Sequence, residues 1–171
     1  MITPSMHSLV GTWLLLNISE IKNGVPTFPS AQWGTAPEGV IIYTASGWVS
    51  ANIMATEAAW RPQTPRPHSA PELVLIANHT VAYTGPYAIN ASFVPPADDP
   101  GLGAVVHGPL TVVEDPVDVG TTFTRYFRLL EGGASSGCCW RWAGWGATLR
   151  LRCSGRGWRR TQFVDRRVIR P

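Results

Sequence analysis

Lysine is almost missing from this chain: Lys22 is the single one among 171 residues, and the other thirteen cationic side chains are arginines. No run of about eighteen apolar residues occurs, so no segment is read as a membrane-spanning helix. The N-terminus has no basic stretch followed by an apolar core and a small-residue cleavage site, and no signal peptide is expected. Cysteine is scarce and odd in number, at three, and Cys138 and Cys139 are adjacent, which is poor disulfide geometry. A reducing, cytoplasmic location follows as the expectation. The tripeptides Asn17-Ile18-Ser19, Asn78-His79-Thr80 and Asn90-Ala91-Ser92 match the glycosylation acceptor pattern, but they carry no weight without a secretory route. Chemical motifs are missing as well. There is no Gly-rich phosphate loop, dinucleotide fingerprint or Gly-x-Ser-x-Gly elbow. No metal is expected, because Cys138-Cys139 has no His or Cys pair at ligand spacing. Asp98-Asp99 and Glu114-Asp115 are each followed by proline and read as turn residues. Any reaction in this chain must therefore run without a cofactor.

What is present is turn punctuation and large rings. The chain holds 17 Gly and 15 Pro spread along its length, with 44% hydrophobic residues, a balance that fits many short elements and not disorder. Eight Trp at this length need a deep core, a ligand cavity or a partner surface to hide them. The net charge of +3 conceals a split. Residues 1–124 carry three basic and nine acidic side chains, whereas residues 125–171 carry eleven Arg against only Glu131 and Asp165. The Arg-rich part reads either as a nucleic-acid footprint or as outward faces of closing strands with an exposed terminus. No nucleic-acid motif frames it, and the second reading is preferred.

Strand propensity dominates, and no long segment carries a helical period. Strands are predicted at about 11–19, 38–44, 47–54, 80–91, 103–113, 121–131, 146–153 and 158–169, roughly eight in one domain over 1–171. A short helical turn over Met6–Val10 would plug one end. Residues 60–71 contain four prolines, at 62, 65, 67 and 71, and cannot form a central strand. With a short helix over Glu72–Asn78 they form an insertion at 60–78, either a rim lid or a plain surface loop. Residues 132–146, rich in Gly and Trp, read as a long loop between the last hairpin strands.

Two stretches near the N-terminus bear on the fold. Leu9-Val10-Gly11-Thr12-Trp13 opens a strand with Gly-x-Trp, leaving room for a large ring to fold across a barrel end. Gly39-Val40-Ile41-Ile42-Tyr43-Thr44-Ala45-Ser46-Gly47-Trp48 reads as two strands joined by a glycine turn. With Tyr83-Thr84-Gly85-Pro86-Tyr87, His107 and Gly120-Thr121-Thr122-Phe123-Thr124-Arg125-Tyr126-Phe127, these residues make the chain resemble the lipocalin-like domain family over about 8–130. The resemblance implies an all-β, antiparallel up-and-down barrel around an interior apolar cavity. It also implies Trp13 packed at the closed end against a late Arg such as Arg166 or Arg167. Two departures stand out: Pro86 replaces a more usual polar residue, and His107 is followed by Gly108-Pro109.

Period-two reading selects candidate residues. Phe123, Arg125, Phe127 and Leu129 share one face of their strand, and an Arg among apolar neighbours is buried only with a partner. That partner is a ligand carboxylate, enolate or carbonyl, an internal ion pair, or the Trp13 ring. Val81, Tyr83, Tyr87 and Ile89 share another face, setting two phenols toward the interior. His107, on a face with Val105 and Thr111, is the titratable group nearest neutrality in a core-like strand. His107 and Arg125 are therefore the candidate catalytic residues. Tyr43, Trp48, Asn52, Tyr83, Tyr87, Phe123 and Phe127 are the candidate ligand-binding residues. The resulting expectation is a barrel that binds a small, largely apolar organic molecule. It either catalyses a cofactor-free isomerisation, cyclisation or dehydration of a polyketide- or terpenoid-like intermediate, or only carries such a molecule. A third reading is nucleic-acid binding through the Arg-rich part. Neither a membrane nor a nucleic acid is the expected partner, and the oligomeric state is open.

Overall fold

The computed structural model describes residues 9–22, 25–98, 100–130, 137–142 and 147–153. Its strands are β1 (Gly11–Lys22), β2 (Val25–Thr27), β3 (Glu38–Tyr43), β4 (Trp48–Met54), β5 (Thr80–Ile89), β6 (Leu102–His107), β7 (Val112–Val113), β8 (Phe123–Leu130), β9 (Gly137–Trp142) and β10 (Ala147–Cys153). One helix, α1 (Ala70–His79), lies between β4 and β5. The hydrogen-bonded path runs β10-β9-β8-β6-β5-β4-β3-β1, and β10 then pairs with β1 from Trp13↔Cys153 to Glu20↔Ala147. Every pairing along this path is antiparallel, so the eight strands form a ring, which removes the open edges that invite aggregation. Strand β2 branches off β1, and β7 pairs with β5. An eight-stranded barrel has an interior just wide enough for side chains or for one small ligand.

Alternation along the strands places the core. Val49, Ala51 and Ile53 of β4 and Tyr83 and Tyr87 of β5 are buried, with exposed or half-buried residues between them, apart from Gly85. Strand β1 needs a correction of phase to follow this rule, since both Trp13 and Ile18 are buried although five residues apart. The register with β10 slips between Leu15 and Asn17, leaving Leu16 as a bulge residue that points to solvent at 59% exposure. One extra residue restores the inward phase. Trp13 is buried and its indole N–H donates to the Leu9 carbonyl at 2.8 Å. It pairs with Ile41, at the barrel end where β3 enters the Thr44–Gly47 turn. Met54 pairs with both Glu38 and Thr80, so the connection holding α1 lies at the opposite end.

Several expected elements differ. The single strand expected at 103–113 is broken into β6 and β7 at Gly108-Pro109. Proline has no N–H for a ladder, and Gly108 adopts φ +114°, a conformation nearly closed to other residues. Thr111, expected beside His107 and Val105, lies beyond this break and is exposed. The expected Gly/Trp-rich loop at 132–146 contains strand β9 instead, paired with both β8 and β10. Residues 138–142, Cys-Cys-Trp-Arg-Trp, are good strand formers once a neighbour supplies hydrogen bonds on each side. The helix at Glu72–Asn78 is found as α1, with Pro71 in its first turn and Glu72 accepting from the Ser69 backbone N–H at 2.9 Å and hydroxyl at 2.7 Å. The strand expected at 158–169, most of the turn at Met6–Val10, and the partners Arg166 and Arg167 expected for Trp13 lie outside the described residues.

Gly108 is a strict requirement of this fold. A Cβ there would sit 2.5 Å from the Thr121 carbonyl oxygen, in addition to the unfavourable φ. Gly108→Ala is expected to destabilise the protein by about 1–3 kcal/mol in urea denaturation. A loss below about 0.5 kcal/mol, the range of ordinary surface changes, would contradict this role.

Candidate functional site

Four strands each contribute one polar side chain to the same buried point: Tyr43 from the end of β3, Tyr83 from β5, His107 from the end of β6 and Arg125 from β8. Their relative exposures are 1%, 4%, 0% and 4%. The ladder fixes the heights. His107 pairs with Tyr87 and with Phe123, and Val105 pairs with Arg125. Gly85 permits the close packing beneath them, because a Cβ there would lie 3.1 Å from the Leu110 Cα.

The His107 ring bridges two phenols. Its Nε2 lies 2.7 Å from the Tyr43 hydroxyl and its Nδ1 2.9 Å from the Tyr83 hydroxyl. Burial, with a smaller contribution from the Arg125 cation, holds the imidazole pKa down at about 3. His107 is therefore neutral at physiological pH, which corrects the expectation of a group titrating near neutrality. Burial also pushes the Tyr83 phenol up, partly offset by the charge of Arg125 and a hydrogen bond with it. Desolvation pulls the Arg125 pKa down, opposed by Tyr83 and Tyr43, but a guanidinium stays protonated at any ordinary pH. Arg125 also donates through Nη1 to the Thr124 carbonyl at 3.2 Å, and its guanidinium carbon lies 4.5 Å from the centre of the Phe123 ring. The alternative of stacking on Trp13 is thus replaced by Phe123.

A neutral imidazole has one N–H and one acceptor nitrogen, so His107 donates to one phenol and accepts from the other. The Arg125 charge acts on both phenols and opposes the upward push of burial on Tyr83. Arg125, Tyr83, His107 and Tyr43 thus form one buried polar cluster.

Aromatic rings wall this cluster. Tyr87 meets Tyr43 edge to face at 4.8 Å and donates its hydroxyl to the Thr44 carbonyl at 3.1 Å. Phe123 meets Tyr83 edge to face at 5.6 Å, and Phe127 is fully buried on the same face of β8 as Arg125. Seven of the nine expected site residues are thus brought to the interior. Trp48 and Asn52 are not. They fall on the outward phase of β4, Trp48 at 44% exposure and Asn52 donating to Ser50 at 3.2 Å on the surface. The signal was in the sequence, since Val49, Ala51 and Ile53 form the apolar set of that strand. No polar residue of the cluster escaped sequence reading; the bridging of His107 between two phenols did, because it depends on the barrel's closure. Among the described residues no three His, Cys, Asp or Glu side chains gather as a metal site requires, and no helix is long and apolar enough to cross a membrane.

Comparison with curated proteins and with solved structures gives no match. A family model described as a lipocalin-like domain matches residues 10–143, a span that holds every member of the cluster.

Proposed function

The chain belongs to the lipocalin-like domain family, a barrel suited to small-molecule binding, and from that premise we propose that it holds a small, largely apolar organic molecule with an oxygen acceptor against Tyr43 and Arg125. The observation that carries this reading is the cluster of Arg125, Tyr83, His107 and Tyr43, with His107 bridging both phenols, buried among aromatic rings. Preorganised donors in a water-poor interior polarise a carbonyl strongly, because they need no reorientation when charge develops. In this reading the protein promotes a cofactor-free isomerisation, cyclisation or dehydration: the apolar wall folds the substrate and the polar cluster draws charge onto its oxygen. His107 then acts as a positioning residue, and Tyr43 and Arg125 touch the substrate. One observation favours the carrier reading instead. His107 is neutral and engaged on both nitrogens, so it supplies no proton-transfer group poised near pH 7.

A competition series tests the reading. An apolar fluorescent dye is displaced by aryl ketones and by hydrocarbons of matched size. Ketones are expected to compete at least about tenfold better, the value of one hydrogen bond to a charged or polarised donor. Tyr43→Phe and Arg125→Met should erase that preference, whereas Trp48→Ala on the outer face should keep it. Equal competition by ketone and hydrocarbon in the wild type would overturn the reading. The molecule that copurifies with the protein then separates enzyme from carrier. Conversion to an isomer or a dehydrated product indicates catalysis, and unchanged recovery indicates carriage.

A further inference from the structure

The barrel wall carries an outer face without charge. Cross-strand register sets Thr12 of β1, Ile42 of β3, Ser50 of β4, Thr84 of β5 and Val112 of β7 side by side in one row. The row is outward, because the alternate positions Val49, Ala51 and Tyr83 are buried. On one side of it Trp48 stands beside Pro86, and on the other Leu14 stands beside Val40. Residues 12–14, 40–42, 48–52 and 82–86 contain no Asp, Glu, Lys, Arg or His. A soluble surface carries about a quarter to a third of charged residues, so several would be expected here. Charges begin at the border. Glu38 pairs with Met54, Glu114 bonds the Ala82 carbonyl through its backbone N–H, and Arg152 pairs with Leu14.

We propose that this face is the interface of a two-fold dimer of the chain, packed sheet against sheet. Its apolar members are open to solvent, with Ile42 at 38%, Trp48 at 44% and Val112 at 64% exposure. Large rings at the middle of an interface supply much of its binding energy. A two-fold axis sets the patch against itself, so any charge near the axis would meet its own copy; a neutral patch avoids that repulsion. The polar side chains on the face are engaged within the barrel. Thr84 donates its hydroxyl to the Val49 carbonyl at 2.7 Å, and Asn52 donates to Ser50 at 3.2 Å. Covering them leaves these donors satisfied. The extent also fits. Five strands about 4.8 Å apart and three rows about 6.8 Å apart span roughly 24 by 20 Å, or about 1,000 Å² over two copies, which is where specific interfaces begin. A lipid surface is a poorer occupant, because the face offers no cation to anionic headgroups. A charged protein partner would meet no counter-charge.

The inference stands apart from the ligand reading, and sedimentation equilibrium of the full chain from micromolar to submillimolar concentration tests it. A reversible dimer is expected, weak because its area is near the lower bound. Trp48→Ala should raise its dissociation constant about tenfold or more. Ser50 lies at the centre of the face, so Ser50→Arg and Ser50→Asp should each give monomers with wild-type circular dichroism. Mixing those two variants should restore the dimer, because the axis sets each new charge against the opposite one. Leu73→Arg on α1, an apolar residue 53% exposed outside this face, should leave the dimer intact. A wild type that stays monomeric at every concentration overturns the inference, whatever other protein covers the face. So does a dimer that survives both Ser50 variants or is lost with Leu73→Arg.

Discussion

Lowering the pH from 6.5 to 3 should remove about 4–5 kcal/mol of folding stability through His107 alone, taking 1.36 kcal/mol per pKa unit. The sign follows from the depressed folded-state pKa of about 3, against 6.5 in the unfolded chain. Between those values the unfolded chain binds a proton that the native state refuses, so stability is complete above pH 6.5 and drains as the pH falls. The cause is structural: a charged imidazole would lack water and face the Arg125 cation, and it would have to donate on both nitrogens. Urea denaturation of wild type and His107→Gln across this range isolates the effect from the carboxylates, which titrate in both proteins. The amide can donate and accept, so the variant should start about 1 kcal/mol less stable at pH 7. It should then lose stability more slowly and become the more stable form below about pH 6. Parallel curves would show that His107 is not the buried neutral bridge described here.

Replacing Arg125 should have the second large effect, in the opposite direction. The guanidinium is held at a net cost, since desolvation outweighs the offset from Tyr83 and Tyr43. Exchanging a buried charged side chain for an apolar one of similar volume is often neutral or stabilising by about 1–4 kcal/mol. Arg125→Met is expected to raise stability within that range while abolishing discrimination between ketone and hydrocarbon ligands. Stability traded for a functional charge is a common property of binding sites. A loss of about 3–5 kcal/mol on the same substitution is the mark of a broken buried ion pair, and it would assign Arg125 to the fold instead of the ligand.

The barrel was legible in this sequence because its evidence is local. Alternation sorts Phe123, Arg125 and Phe127 to one face and Tyr83 and Tyr87 to another, and the structure buries four of them and packs the half-buried Phe123 against the core. Turn signals likewise mark the β3–β4 hairpin at Gly47, which adopts φ +85°. What escaped was non-local or a matter of phase. The Leu16 bulge resets the inward face of β1, and no single-strand pattern announces it. Strand β9 becomes a strand by having β8 and β10 on either side, which its Gly-rich lead obscures. The break at Gly108-Pro109 is marked in the sequence by two strand-breaking residues inside the expected 103–113 strand. Trp48, expected to bind ligand, lies outside the site because parity with the buried Val49 sends it outward. The role of His107 was least legible of all. Its two phenols lie 64 and 24 residues away, and only ring closure sets their distance and strips water from the imidazole.

The central claim is that Tyr43 and Arg125 present a directed positive field to a ligand oxygen inside the barrel. The carbonyl stretch of a bound aryl ketone reads that field directly by infrared difference spectroscopy. In the wild type the band should move to lower frequency than in water, because preorganised donors and a buried cation polarise the C=O bond more than mobile solvent does. Tyr43→Phe and Arg125→Met should each return most of that shift, and Trp48→Ala none of it. A bound ketone whose stretch matches its value in a hydrocarbon solvent, unchanged by Tyr43→Phe and Arg125→Met, would contradict the claim.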